Sequence, residues 1–283
     1  ERGSFNMPTS PTKLGVCSWS LNPSGPADLS SSIQQCGINS TQLALDPFST
    51  LGWNLDQLVQ EFQSAQITIC SGMMTTIGED YSTMESIKAT GGIRPDQHWE
   101  ANQQRATAAA DIAHRLGLKL VTIHAGFIPE PTTNEYTTLT DRIKAIADIF
   151  ENQGITLALE TGQERAESLL EMLDLPNMST IQINFDPANM ILYGMGCPAQ
   201  SLELLIDRIV QVHMKDAIAT ATPGAWGTEV PAGQGEVDWD HFFGTIQTHP
   251  KTINVVIERE AGDQRIADII QARTLASRYG MTP

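Results

Sequence analysis

Basic residues are scarce in this chain. Seventeen Lys and Arg stand against 33 Asp and Glu, a formal charge of −16. Such a surface repels phosphate backbones and anionic bilayers, and no Lys/Arg cluster builds a local exception, so nucleic-acid and membrane partners are not expected. Long apolar runs are missing too: none approaches the ~20 residues of a membrane-spanning helix. The cysteines number four (Cys17, Cys36, Cys70, Cys197) and lack C-x-x-C or metal-type spacing. Cys17 and Cys70 fall within apolar runs, where buried thiols are expected rather than disulfides, which favours a reducing cytoplasm. No linker rich in Pro, Gly or Ser separates two cores. With 283 residues and 41% hydrophobic content the chain reads as one domain, long enough for one barrel. Residues 1–12, polar and Pro-rich, begin without Met, as a tag-like remnant or a processed precursor would; they are left out of the fold, which is assigned to 13–283.

What the chain does contain is a repeated alternation. Eight strand-like runs can be marked: Lys13–Ser20, Ser40–Leu45, Gln66–Met74, Lys119–Gly126, Ile155–Gly162, Ile181–Asp186, Ile209–Asp216 and Ile253–Glu260. Helical patterns separate them: Leu29–Cys36, Leu55–Ala65, Arg94–Leu116, Leu139–Asn152, Glu164–Leu173, Pro198–Asp207, Trp239–Gln247 and Asp263–Tyr279. Leu55, Leu58, Val59 and Phe62 keep one helical face apolar, and Gly117 and Gly154 stand where helices stop. Strand alternating with helix eight times predicts an α/β fold, a single-domain (β/α)8 TIM barrel. A doubly wound sheet would need a Gly-rich phosphate turn after its first strand, and Cys17-Ser18-Trp19-Ser20 is not one. Two long connections, Thr75–Ile93 and Ala217–Val237, leave the face where barrel active sites lie. The second contains Gly224, Gly227, Gly233 and Gly235 and reads as a hinged lid or as loop decoration.

Four consecutive runs end alike. Ile155–Leu159 leads into Glu160, Ile181–Phe185 into Asp186, Ile209–Val212 into His213 and Ile253–Ile257 into Glu258. Each run is apolar along its length and ends on a metal-type ligand. Neighbouring barrel strands lie about 4.8 Å apart and their ends curve round one mouth. Glu160 and Glu258, the longer side chains, come from the outer pair and so reach a common point with Asp186 and His213. Three carboxylates and an imidazole suit one divalent ion, Mn²⁺ first, with Mg²⁺, Co²⁺, Zn²⁺ or Fe²⁺ as further candidates. Singly, each residue has an ordinary use. Asp186 before Pro187 could start a turn, His213 could be a core histidine, and Glu160 and Glu258 could pair with Arg165 or Arg259. Four such coincidences in succession are a poor account. Glu260 shares the strand parity of Glu258 and rivals it; Val255-Val256-Ile257-Glu258 copies Leu157-Ala158-Leu159-Glu160, which favours Glu258. His124, Asn189, Lys215 and Gln163, with Trp19, are candidate substrate contacts at the mouth.

The motifs Val121–Gly126, Leu157–Gly162, Asn184–Asn189, Val212–Asp216, Gly233–Trp239 and Val256–Glu258 resemble those of the xylose isomerase-like TIM barrels, the sugar phosphate isomerase/epimerase superfamily. The resemblance runs from about Lys13 to Tyr279. It implies that Glu160, Asp186, His213 and Glu258 bind the metal and that Glu160 and Glu258 are catalytic, working on a small-molecule sugar or polyol; a homo-oligomer stays open. The implied chemistry is chelation of a carbonyl and its neighbouring hydroxyl, then proton transfer by Glu through an enediolate. A dehydratase or lyase of the inosose dehydratase kind, or a non-catalytic sugar-binding barrel, would share the same site. Two contacts to sugar hydroxyls found in ketose epimerases are replaced here, His by Asn189 and Arg by Ala219, so the resemblance does not extend to those that hold a standard ketohexose. Endonuclease IV needs further His and Asp ligands. Asn189, Trp239 and Asp240 do not supply the missing His residues, and DNA repair is not expected.

Overall fold

Strands buried on both faces need apolar residues toward the helices and a filled interior toward the barrel axis. The computed structural model, which describes residues 14–222 and 224–282, has both. Its strands are β1 (Gly15–Cys17), β2 (Ser40–Ala44), β3 (Thr68–Met73), β4 (Leu120–Ile123), β5 (Thr156–Glu160), β6 (Gln182–Phe185) and β7 (Ile209–Met214). An antiparallel hairpin of β8 (Asp216–Ile218) and β9 (Thr228–Val230) follows, then β10 (Asn254–Ile257). Apart from the hairpin the strands are parallel and close in the order β1-β10-β7-β6-β5-β4-β3-β2. Gly15 pairs with Val256 to complete the circle. This is the (β/α)8 barrel expected from the alternation. Residues 1–12 and Lys13, the expected start of the first strand, lie outside the described residues.

Outward strand residues such as Leu43, Leu157, Leu159 and Val212 join helix residues such as Leu58, Phe62, Ile143 and Phe150 in one apolar core. The inward layer is different. Gln42, Ser71, Thr122, Asn184 and Gln211 are all fully buried. Polar groups there need partners, and they find them across the barrel: Gln42 Nε2 donates to Thr122 Oγ1 at 2.8 Å and Ser71 Oγ to Gln211 Oε1 at 2.7 Å. At the N-terminal end of the strands a cavity of about 440 Å³ is bordered by Thr156, Gln182, Asn254 and Lys119; it contains none of the site residues named above.

Several boundaries differ from the pattern reading. The first run shortens to Gly15–Cys17 because a 3₁₀ turn, Ser18–Leu21, takes over. The helix expected from Leu139 begins at Asn134, where Thr133 Oγ1 accepts the Tyr136 N–H at 3.2 Å and supplies an N-cap. Unmarked short helices appear at Pro47–Thr50, Met84–Thr90 and Pro187–Tyr193. The last begins at the Asp-Pro pair, with Asp186 as N-cap and Pro187 at its first position. The connection after β7 carries the β8–β9 hairpin. Gly235 is there for close approach: a Cβ on it would stand 2.1 Å from Asp216 Oδ1.

Among the described residues no helix is long and apolar enough to cross a membrane. The four cysteines are free thiols, with Cys17 and Cys36 buried, Cys70 half-buried and Cys197 exposed.

Candidate metal centre

The barrel brings the four strand-end residues together. Glu160 is the last residue of β5, Asp186 and Glu258 directly follow β6 and β10, and His213 lies near the end of β7. Each offers one ligand atom, and these atoms all lie within 4.8 Å of one another in fully buried surroundings. The centre of the group is His213 Nδ1, with Glu160 Oε1 at 3.3 Å, Glu258 Oε2 at 3.4 Å and Asp186 Oδ2 at 3.6 Å.

Surrounding groups fix each of the four side chains. The His213 ring turns its other nitrogen, Nε2, to Gln42 Oε1 at 2.8 Å. The Gln42 amide is itself tied to Thr122, and Asn184 Nδ2 also lies 3.1 Å from Nε2, so that edge of the ring is held and Nδ1 faces the carboxylates. Glu160 Oε1 accepts from Asn189 Nδ2 at 3.1 Å and Oε2 from Asn184 Nδ2 at 3.3 Å. Glu258 Oε1 accepts from Trp19 Nε1 and Oε2 from Lys215 Nζ, both at 2.8 Å. Asp186 divides its carboxylate. Oδ1 accepts the Asn189 N–H at 2.9 Å and caps the helix, while Oδ2 has no hydrogen bond. The turn-starting and the ligand-type uses of this residue therefore coexist.

Two buried polar atoms, Asp186 Oδ2 and His213 Nδ1, lack any aligned hydrogen bond and face each other across the cluster. A buried polar atom without a partner costs roughly 1–3 kcal/mol, and a cation bound among these atoms would supply that partner. The charge balance agrees. Burial would neutralise His213 and Lys215, yet Cys17, Glu160 and Glu258 push the imidazole, and Glu258, Glu260 and Asp186 the ammonium, well above their ordinary values. Burial raises the Asp186 carboxyl to about 6 against the pull of Lys215 and His213. Burial opposes ionisation of Glu258 too, but Lys215 and His213 hold it well below the usual range; His124 and His213 lower Glu160 in the same way. A proton on His213 stands among three carboxylates where a divalent ion would satisfy all of them. The oxygen-rich donor set fits Mn²⁺ or Mg²⁺ chemistry.

The rival glutamate sits elsewhere. Glu260 is half-exposed and bonds Lys215 Nζ at 2.6 Å, outside the cluster. Arg165 turns to Glu167 and Arg259 to Glu229 and Asp268, so neither arginine neutralises Glu160 or Glu258. His124, one residue past β4, stands with Nε2 3.6 Å from Glu160 Oε2. Asn189 bridges Glu160 and Lys215, accepting from the ammonium at 3.2 Å. Glu258, Glu260 and Asn189 thus surround the ammonium of Lys215, which links the Glu258 and Glu160 sides of the cluster. Gln163 Nε2 donates to Tyr193 Oη at 3.2 Å and leaves a buried Oε1 without a partner. Tyr193 in turn packs edge-on against Phe127 and Trp226, an aromatic wall at the mouth.

The family model described as Xylose isomerase-like TIM barrel matches residues 32–276. The chain belongs to that family. The Xylose isomerase domain protein from Planctomyces limnophilus is 27% identical, superposes with a TM-score of 0.80, and the match covers 88% of this chain and 91% of that one. D-allulose 3-epimerase from Methylomonas sp., solved in complex with D-allulose, is 16% identical with a TM-score of 0.70 over 98% of this chain and 100% of that one. A curated relative, the uncharacterized protein YihM of Escherichia coli (strain K12), is 26% identical over 147 residues, 50% of this chain. That alignment spans only 44% of the relative's own length. Other members of the fold, 13–18% identical, include sugar epimerases, a probable 3-DHS dehydratase from Bacillus anthracis, and a protein from Mycobacterium smegmatis in complex with magnesium. At that distance the likeness shows the fold alone.

Of the groups that hold the four side chains, Trp19, Asn189 and Lys215 were expected at the mouth, whereas Gln42 and Asn184 were not singled out. Asn184, between Ile183 and Phe185, is a polar residue within an apolar run and so detectable; Gln42 follows Ser40 and Thr41 and does not stand out. The same site yields a test. Gly162 has φ +142°, and a Cβ there would stand 2.3 Å from the Asn189 Cβ. Gly162→Ala is expected to destabilise the fold by about 1–3 kcal/mol and to displace Asn189 from Glu160. Urea unfolding reads the first effect, and an unchanged midpoint would show that the turn relaxes freely.

Proposed function

We propose that this protein is a divalent-metal-dependent isomerase or epimerase of a sugar or keto-sugar, with Glu160, Asp186, His213 and Glu258 holding the ion. One observation carries the reading: two buried glutamates, from strands with β6 and β7 between them, approach the same imidazole nitrogen at 3.3 and 3.4 Å. A substrate seated over that point has a carboxylate on each side.

A divalent ion bound there would polarise a substrate carbonyl and its neighbouring hydroxyl and acidify the C–H between them. The remaining work falls to side chains. Glu258, held ionised by Lys215 and His213, takes a proton from carbon on its side, giving an enediolate. Glu160, receiving a proton from His124 beside it, passes that proton to the opposite face or the adjacent carbon, and solvent later exchanges the proton left on Glu258. Trp19 and Asn184 hold the outer oxygens of the two carboxylates in place. The Phe127–Tyr193–Trp226 wall offers apolar surface to C–H faces of a ring, and Gln163 Oε1 offers an acceptor to a hydroxyl. The screen that tests this reading is solvent deuterium exchange, followed by NMR across ketoses and inososes with Mn²⁺ present. Exchange at a carbon beside a carbonyl is expected; none across the panel, with metal bound, would leave a sugar-binding barrel.

A second reading, a dehydratase, has one specific support. Elimination of water needs an acid for the departing oxygen, and His124 stands beside Glu160. Burial disfavours its protonation, but Glu160 and Glu79 outweigh that and raise it above the ordinary histidine value. Product mass separates the two readings, since only elimination loses water.

Abasic DNA is not a substrate under this reading, given the charge of −16. At low salt, where backbone attraction is strongest, an abasic duplex is expected to remain intact. Cleavage that copurifies with the protein and disappears in Glu160→Gln would overturn this.

A further inference from the structure

The hairpin after β7 ties two ligand-bearing strands together. It leaves the barrel just past His213 and Lys215, and in its return strand Glu229 pairs with Ala217. The Glu229 side chain, 8% exposed, then reaches across to the segment after Glu258. Its Oε1 accepts from Arg259 Nη1 at 2.8 Å and from the Glu260 N–H at 2.9 Å, and its Oε2 from the Ala261 N–H at 3.1 Å. On the other side of that segment the Arg259 N–H donates to Ser20 Oγ at 2.9 Å, and Arg259 Nε to Asp268 at 2.9 Å.

The base of the hairpin is clasped as firmly. Asp216 accepts the N–H groups of Ala217, Gly233, Gly235 and Val237 and the indole N–H of Trp239, all within 3.1 Å. A carboxylate with that many donors holds its loop in one arrangement. The hairpin is therefore a strut between β7 and β10.

We propose that Glu229 is a positioning residue for the candidate metal centre: it sets the path of residues 258–261, and through Glu260 and Lys215 it sets the carboxylate of Glu258. The chain of contacts is short. Glu229 fixes the Glu260 backbone, Glu260 Oε2 takes one ammonium hydrogen of Lys215, and the same ammonium donates to Glu258 Oε2. Without Glu229, two backbone N–H groups and a guanidinium lose their acceptor together. The segment moves, Glu260 leaves Lys215, and Glu258 loses its defined angle toward His213. This inference rests on the metal-site reading above.

The test uses the whole chain with Mn²⁺ as probe. Glu229→Ala is expected to weaken Mn²⁺ binding in calorimetry by about tenfold or more, as loss of groups that orient metal ligands does. Amide hydrogen exchange should accelerate at residues 260 and 261 while the β7 and β10 amides stay protected. Glu229→Gln, which keeps the shape and one acceptor oxygen, should fall between the variant and the wild type; it carries the test if Glu229→Ala does not fold. Thr228→Ala, an exposed neighbour on the same strand, is the control and should match the wild type. Wild-type Mn²⁺ affinity in both Glu229 variants, or unchanged exchange at 260 and 261, would overturn the proposal. A wild-type protein that binds no Mn²⁺ would instead remove the site reading beneath it.

Discussion

Glu258→Gln is expected to lower turnover by about 10²–10⁴-fold, the usual worth of a general base, and Glu160→Gln by a similar factor. The two losses should differ in kind. Each carboxylate approaches the cluster from its own strand, so in a two-base epimerisation each serves one face of the substrate. With metal retained, Glu258→Gln should still exchange the substrate C–H with deuterated solvent from one stereoisomer, yet fail to interconvert the pair. Glu160→Gln should show the opposite preference. The substitution is not silent toward its neighbours. Both Glu258 oxygens face donors, Trp19 and Lys215, and an amide NH₂ must turn toward one of them. Glu160 meets the same problem against Asn184 and Asn189. Metal occupancy therefore has to be measured in each variant before rates are compared. Loss of exchange from both isomers in both variants would point to a single-base shuttle, and full interconversion in either would make that Glu a ligand without a proton-carrying role.

The barrel and the four strand-end residues could be read from the chain because both are written locally. An apolar run of five or six residues is a strand whatever follows it, and the residue just after it lies at the mouth by the geometry of the fold. Preferring Glu258 over Glu260 needed only the likeness between Val255–Glu258 and Leu157–Glu160, and the structure puts Glu258 in the cluster and Glu260 half-exposed beside it. What could not be read are partnerships made at long range. Gln42 lies 171 positions from the histidine it orients, and Trp19 lies 239 from Glu258. The glycines of the connection after β7 suggested a hinge because glycine permits motion, but at Gly235 it permits contact, with the backbone packed onto Asp216. Parity places Lys215 at the mouth beside His213; that three acceptors surround its ammonium is visible only in the fold.

Removal of the metal should have the other large effect, and it reaches stability as well as activity. Three carboxylates meet around one imidazole nitrogen, and one oxygen, Asp186 Oδ2, has no hydrogen-bond donor. Without an ion the cluster relies on protons on His213 and Lys215, and Asp186 is pushed up to about 6 by burial. A cation that binds only the folded state stabilises it by RT ln(1 + [L]/Kd), ~2.7 kcal/mol at a hundredfold excess over Kd. For a chain of this size that corresponds to roughly 5–10 °C in Tm. Mn²⁺ added to chelator-treated protein should raise the melting temperature by that amount, and chelation should reverse it. His213→Ala should melt at the same temperature with and without Mn²⁺, because it removes the one imidazole of the four-residue cluster and the group around which the carboxylates converge. Gln42→Ala should keep part of the shift, since it frees the ring to turn but leaves the ligand in place, with an affinity loss of about 10–100-fold. If elemental analysis finds no ion after Mn²⁺ loading and the melting temperature does not move, the four residues are a buried charge cluster held by His213 and Lys215, and the proposed chemistry falls with them.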